Sequence, residues 1–109
     1  MTDQAAEVAR LRALCPGAEL LQDGNSPVVF LPSLKVWSGG VQHTVDALLS
    51  PRGHHTYETR LFFSVRLPPG LNWQMYTLLA RTWHAVSWRG ISAAQPWLDI
   101  LASHLEVVK

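Results

Sequence analysis

The chain predicts an α+β domain: a four-stranded antiparallel meander sheet packed by N- and C-terminal helices, in a single domain covering residues 1–109. Three observations predict it. Apolar residues recur near the helical period at both ends, short strand-like segments fill the middle, and Gly, Pro, Asn and Ser clusters separate those segments.

Thr2 or Asp3 can cap a first helix whose Ala5, Val8, Ala9, Leu11 and Cys15 share one face, and Pro16-Gly17 stops it. Strand character follows in Ala18 to Gln22, in Val28 to Trp37 with Pro32 interrupting it, in Val41 to Leu49 and in Tyr57 to Leu67. Tyr57, Thr59, Leu61, Phe63 and Val65 would lie on one face of the fourth strand. Short turns between four consecutive strands argue for a meander. After Pro68-Pro69-Gly70, Leu71, Met75, Leu78 and Leu79 fall at roughly helical spacing, but the aromatic stretch up to Ile91 defines no element. Pro96 suits the first position of a final helix, Asp99 its first turn, and Trp97, Leu98, Leu101, Leu105 and Val108 its apolar stripe. That stripe is expected to cover Leu61, Phe63 and Val65.

An apolar fraction of 48% against 16% charged residues is that of a folded globular chain, with no low-complexity tract or like-charge block to suggest disorder. A net charge of +1, with basic residues scattered from Arg10 to Lys109, gives no electrostatic footprint for nucleic acid. The first residues are polar and acidic where a secretory signal is basic then apolar, and no apolar run approaches bilayer length, so a cytoplasmic protein that avoids membranes is expected.

Candidate chemistry is sparse. Cys15 is the single cysteine, which agrees with a reducing compartment, and beside Pro16-Gly17 it reads as a small apolar residue closing a helix rather than a nucleophile. His54 and His55 with Glu58 offer zinc-type donors, but adjacent residues in an extended segment point to opposite faces, so they read as solvated turn histidines. His84 could serve as a general base only with a nucleophile or a fixed carboxylate beside it. His43 and His104 read as structural or surface groups. No metal or cofactor is expected.

Three of the five tryptophans, Trp83, Trp88 and Trp97, crowd the segment before the last helix. Trp83 and Trp97 fit a core, whereas Trp88 next to Arg89 and Gly90 pairs an amphipathic ring with a guanidinium, a combination frequent among interface anchors. The tract from Trp83 to Ile91 is therefore expected to form part of a protein-binding surface. Trp88 and Arg89 are its anchors, with Trp83 and His84 beside them.

The runs Val45-Asp-Ala-Leu-Leu-Ser-Pro-Arg-Gly53, Arg60-Leu-Phe-Phe63, Arg81-Thr-Trp-His-Ala-Val-Ser87 and Gln95-Pro-Trp-Leu-Asp-Ile-Leu-Ala-Ser-His-Leu-Glu-Val107, in this order of helix, meander, irregular segment and helix, resemble the ubiquitin-conjugating-enzyme-like (UBC-like) superfamily. More closely they resemble its bacterial branch called prokaryotic family E. The resemblance covers roughly Val28 to Val107. Members of that branch occur beside genes for ubiquitin-like proteins, adenylating enzymes and metal-dependent deubiquitinase-like proteases.

The departures bear on activity. A conjugating enzyme carries its cargo as a thioester on a cysteine after the fourth strand, and no residue between Leu61 and Lys109 is cysteine. The family's His-Pro-Asn segment is absent too, and Cys15 matches no position of the motif. The resemblance therefore implies a non-catalytic member that binds a ubiquitin-like protein, an adenylating enzyme or an active conjugating subunit without a covalent intermediate. The alternative is an unrelated small α+β enzyme or ligand-binding domain using His84 or the His54-His55 turn.

Overall fold

Asp3 opens the first helix as expected, its extended backbone carrying a carboxylate that accepts the Ala6 N–H at 3.3 Å. In the computed structural model, which describes residues 3–53 and 56–109, this helix α1 spans Gln4–Leu11 and buries Val8 and Leu11. The chain then turns through Cys15, whose buried thiol donates to the Pro32 carbonyl at 3.2 Å. Gly17 rests against Pro32 so closely that a Cβ would stand 2.8 Å from the ring's Cγ.

Six strands form one antiparallel sheet: β1 Glu19–Asp23, β2 Ser26–Ser38, β3 Val41–Ser50, β4 Arg60–Phe63, β5 Trp73–Leu78 and β6 Arg81–Val86. Their spatial order is β1-β2-β3-β4-β6-β5. The first four strands make the expected meander. Gly39 and Gly40, with φ of 61° and 78°, supply the left-handed turn that joins β2 to β3. Pro32 does not end its strand. It produces a register shift between Leu31 and Leu34, Ser33 takes a φ of 53°, and the Ser33 N–H is satisfied by Asp46 Oδ1 at 3.0 Å.

The sheet has six strands where four were expected, because Leu71 to Arg81 is no helix. Its apolar spacing serves a β-hairpin, with Trp73 against Phe63 (centroids 6.1 Å apart) on one face and Tyr76 against Phe62 (5.9 Å) on the other. Alternating aromatic contacts to the neighbouring sheet outweigh a weak helical stripe. β6 inserts beside β4 and leaves β5 outermost. The fourth strand is also shorter than expected. After Phe63 only the Ser64 N–H continues the pairing, to Asp46 C=O, and Val65 is 49% exposed instead of facing the last helix.

The helix α2 spans Trp97–Val107 and covers the sheet face that carries Leu49, Leu61, Phe63 and Val86. Its buried positions are Trp97, Ile100, Leu101 and His104, with Val108 just beyond, while Leu98 and Leu105 are half-buried. The stripe is thus rotated by about one residue from the expected one. Pro96 is the N-cap, not the first helical residue, and has no side chain to cap with. Glu7 of α1 does this instead: its Oε2 accepts the Trp97 N–H at 2.7 Å, and Oε1 accepts from the Arg10 guanidinium. A buried carboxylate from one helix caps the other.

A second apolar cluster, of Val28, Leu48, Phe62, Trp83 and Ala85, occupies the opposite face with no helix over it. Strands β2 and β6 are three strand spacings apart, about 14 Å in a flat sheet. Phe30 and Trp83 nevertheless meet edge to face at 6.3 Å, so their rings lean together and roof Leu48 and Phe62 between them. The Arg81–Asp46 ion pair, at 2.9 Å, closes the rim, and Arg81 stacks over Trp83 at 4.7 Å. Both the Ser33 N–H and the Arg81 guanidinium hold the Asp46 carboxyl below its ordinary range.

Candidate partner-binding site

Between β6 and α2 the chain from Ser87 to Pro96 forms no helix or strand, yet it is tied down at Arg89, Ile91, Ser92 and Ala93. Four consecutive residues before β4 do the tying. Thr56 Oγ1 accepts from Arg89 Nη2 at 2.9 Å, and the Tyr57 ring lies under the Arg89 guanidinium at 4.9 Å. Glu58 Oε1 accepts the Ala93 N–H at 2.9 Å and the Ser92 hydroxyl at 3.3 Å. Thr59 Oγ1 donates to the Ile91 carbonyl at 2.8 Å and lies 2.9 Å from His104 Nε2.

That last chain defines a protonation state. One hydroxyl hydrogen is committed to Ile91, so the imidazole supplies the other hydrogen bond by donating from Nε2. Burial, followed by the nearby Arg60 guanidinium, lowers the His104 pKa to about 4, which keeps the ring neutral at pH 7. His104 is thus a structural group, as one of its expected roles had it, and a buried one.

Arg60, by contrast, is a buried cation at this junction. Its guanidinium sits over the rings of Tyr57 at 4.0 Å and Tyr76 at 4.5 Å, and donates to Tyr76 Oη at 2.9 Å and Gln74 Oε1 at 3.2 Å. Tyr57 therefore carries two guanidinium groups on its ring, those of Arg60 and Arg89. The stack couples the exposed loop to the sheet.

The expected surface residues separate. Trp83 is 1% exposed and donates its indole N–H to the Leu78 carbonyl at 3.1 Å, so it belongs to the second core and presents nothing to a partner. His84 is half-buried on the helix-facing side of β6, opposite Met75, and its Nδ1 has no hydrogen-bond partner among the described residues. Among the described residues no hydroxyl, thiol or carboxylate is hydrogen-bonded to it as a base would require. Trp88 is 48% exposed and lines a small gap of about 10 Å³ together with Leu61, Phe63, Val86, His104 and Val107. Arg89 is exposed beside it. The surface that remains from the expected tract is therefore Trp88–Arg89, extended by Thr56 and Tyr57.

His54 and His55 lie outside the described residues, and Glu58, their expected third donor, is engaged with Ser92 and Ala93. Among the described residues no group of three His, Cys, Asp or Glu side chains could hold a metal ion. Cys15 is buried, and burial raises its thiol pKa above the ordinary value. A cavity of about 460 Å³ opens between the starts of the two helices and mixes Glu7 with Arg10 and Arg52. Its helix end is already occupied by the Glu7 carboxylate. No helix among the described residues is long and apolar enough to cross a membrane.

Sequence reasoning missed Tyr57, Thr59 and His104 as the groups that shape this loop. Only the alternation around Arg60 hinted at them, since Thr59 and Leu61 share a strand face. The chain matches no protein-family model, no curated protein and no solved structure.

Proposed function

We propose that this chain is a non-catalytic, UBC-like, protein-binding component of a bacterial ubiquitin-like modification system. The carrying observation is the segment after β6: it lacks a thiol, is fastened by Thr56 to Thr59, and displays Trp88 and Arg89 to solvent. A loop held this firmly loses little conformational entropy on binding. The buried Cys15, with its raised pKa, is a poor substitute nucleophile. The partner is a ubiquitin-like protein, an adenylating enzyme or an active conjugating subunit, bound without a thioester.

The test uses purified proteins of these three kinds from the organism that encodes this chain, and calorimetric titration against the parent chain, Trp88→Ala and Arg89→Ala. About half the Trp88 ring is in water, so its removal should cost no more than about 3 kcal/mol of stability. Loss of an interface anchor worth about 2 kcal/mol weakens binding about 30-fold. With ATP, adenylating enzyme and ubiquitin-like protein, no reducible adduct should appear. Failure of the parent to bind any of the three, or an adduct that vanishes with Cys15→Ser, overturns the proposal.

A further inference from the structure

Strand β5 lies at one edge of the sheet, and its register shows which of its backbone groups are unused. The two-residue turn Leu79–Ala80 makes Leu78 and Arg81 a hydrogen-bonded pair, and the Ser87 N–H to Asn72 C=O bond of 3.0 Å continues the same phase. Asn72, Gln74, Tyr76 and Leu78 thus spend their backbone groups on β6, while Trp73, Met75 and Thr77 turn theirs outward. The Trp73 N–H is taken by Leu71 C=O at 2.9 Å; the Met75 and Thr77 groups face away from the sheet.

Edge strands normally carry a charge, a proline or a bulge that discourages pairing. From Gly70 to Ala80 there is no charged residue, β5 itself has no proline, and its ladder to β6 has no register shift. Met75, at the middle, is 62% exposed. The opposite edge differs: β1 ends in Glu19 and Asp23, so a two-fold antiparallel pairing of β1 with its own copy would set Glu19 against Asp23. Like charges directly opposite each other disfavour that arrangement.

We infer that β5 pairs antiparallel with β5 of a second copy of this chain, the two-fold axis passing between the two Met75 residues. A two-fold antiparallel ladder is self-complementary when the strand has no charge to oppose, and β5 meets that condition. Centred on Met75, the pairing exchanges N–H to C=O bonds between the Met75 residues and gives each Thr77 N–H the facing Trp73 carbonyl. The result is one continuous sheet through both copies. The Trp88–Arg89 surface takes no part in this ladder, so the inference stands apart from the proposed function.

Sedimentation of the purified chain across a concentration series should show reversible growth from 12.2 kDa to twice that mass. Met75→Pro removes an outward N–H that β6 does not use, so it should stay folded by circular dichroism and stay at the monomer mass. Met75→Lys alone and Met75→Glu alone should also be monomeric, and their equimolar mixture should recover the dimer, because the two-fold axis sets residue 75 against itself. A parent that remains monomeric at millimolar concentration overturns the inference. So does a folded Met75→Pro chain that still dimerises, or a Lys and Glu mixture that stays monomeric while the parent pairs, since the copies then meet elsewhere or not at all.

Discussion

Acidification should unlock the junction between the β6–α2 loop and the last helix through one side chain, His104. Its folded pKa of about 4 lies below the ordinary 6.5, so between these values the unfolded chain binds the proton that the folded chain refuses. Stability from this group is therefore complete above about pH 6.5 and is lost as the pH falls toward 4. The gap of roughly 2.5 units, at 1.36 kcal/mol per unit, makes the loss about 3 kcal/mol. Urea unfolding at several pH values between about 7 and 4 measures it, with His104→Leu as reference. Leucine removes the titration, and Thr59 can still donate to Ile91. The contribution of Asp46, held below its ordinary range, is lost only at lower pH and is common to both chains. If the two stability curves run parallel across this window, His104 is solvated in the folded protein and the Ile91–Thr59–His104 chain is not formed.

Glu7→Ala leaves the Trp97 N–H without its acceptor and should cost about 2 kcal/mol in denaturant unfolding, Glu7→Gln less; a loss within error would show that water caps α2 equally well. Leu101 is fully buried between helix and sheet, so Leu101→Ala should cost about 2 to 5 kcal/mol, and an unchanged melting temperature would refute the packing of α2 on the sheet. Leu79 and Ala80 hold φ of 50° and 58°, a conformation that suits Asn-Gly, and replacing the pair by Asn-Gly should raise stability by about 1 to 2 kcal/mol; destabilisation would mean the Leu79 side chain contributes more than the strain removes.

The same turn explains where sequence reasoning stopped. Gly24, Gly39 and Gly40 announced their turns because an achiral residue is what a positive φ favours, and Asp3 and Pro96 announced helix starts for equally local reasons. Leu79-Ala80 announces nothing, so the hairpin it closes was hidden and its apolar residues passed for half a helix. At the candidate site, Trp88 and Arg89 were visible as a chemical pair. Trp83 was visible as an aromatic, and only the sheet order, which lays it over Leu48 and Phe62 opposite Phe30, decides that it turns inward. His104 and Arg60 acquire their character from partners 45 and 16 residues away, Thr59 and Tyr76 respectively, and no local pattern carries such information.

The hydrogen bond from Trp97 to Glu7 joins residues 90 positions apart. During synthesis α1 emerges early, and at about 5 to 20 residues per second the Trp97 amide follows after on the order of ten seconds. Throughout that interval the Glu7 carboxylate can keep its water and its neighbour Arg10, but it has no helix end to cap. The first helix therefore cannot complete its docking before the Trp97 amide is available, and the meander must wait with the face that α2 will cover still open to solvent. Folding of this domain is in that sense a closing step made by the last helix to appear, and a chaperone that shields apolar strands would have its longest opportunity on this chain just before Trp97 arrives.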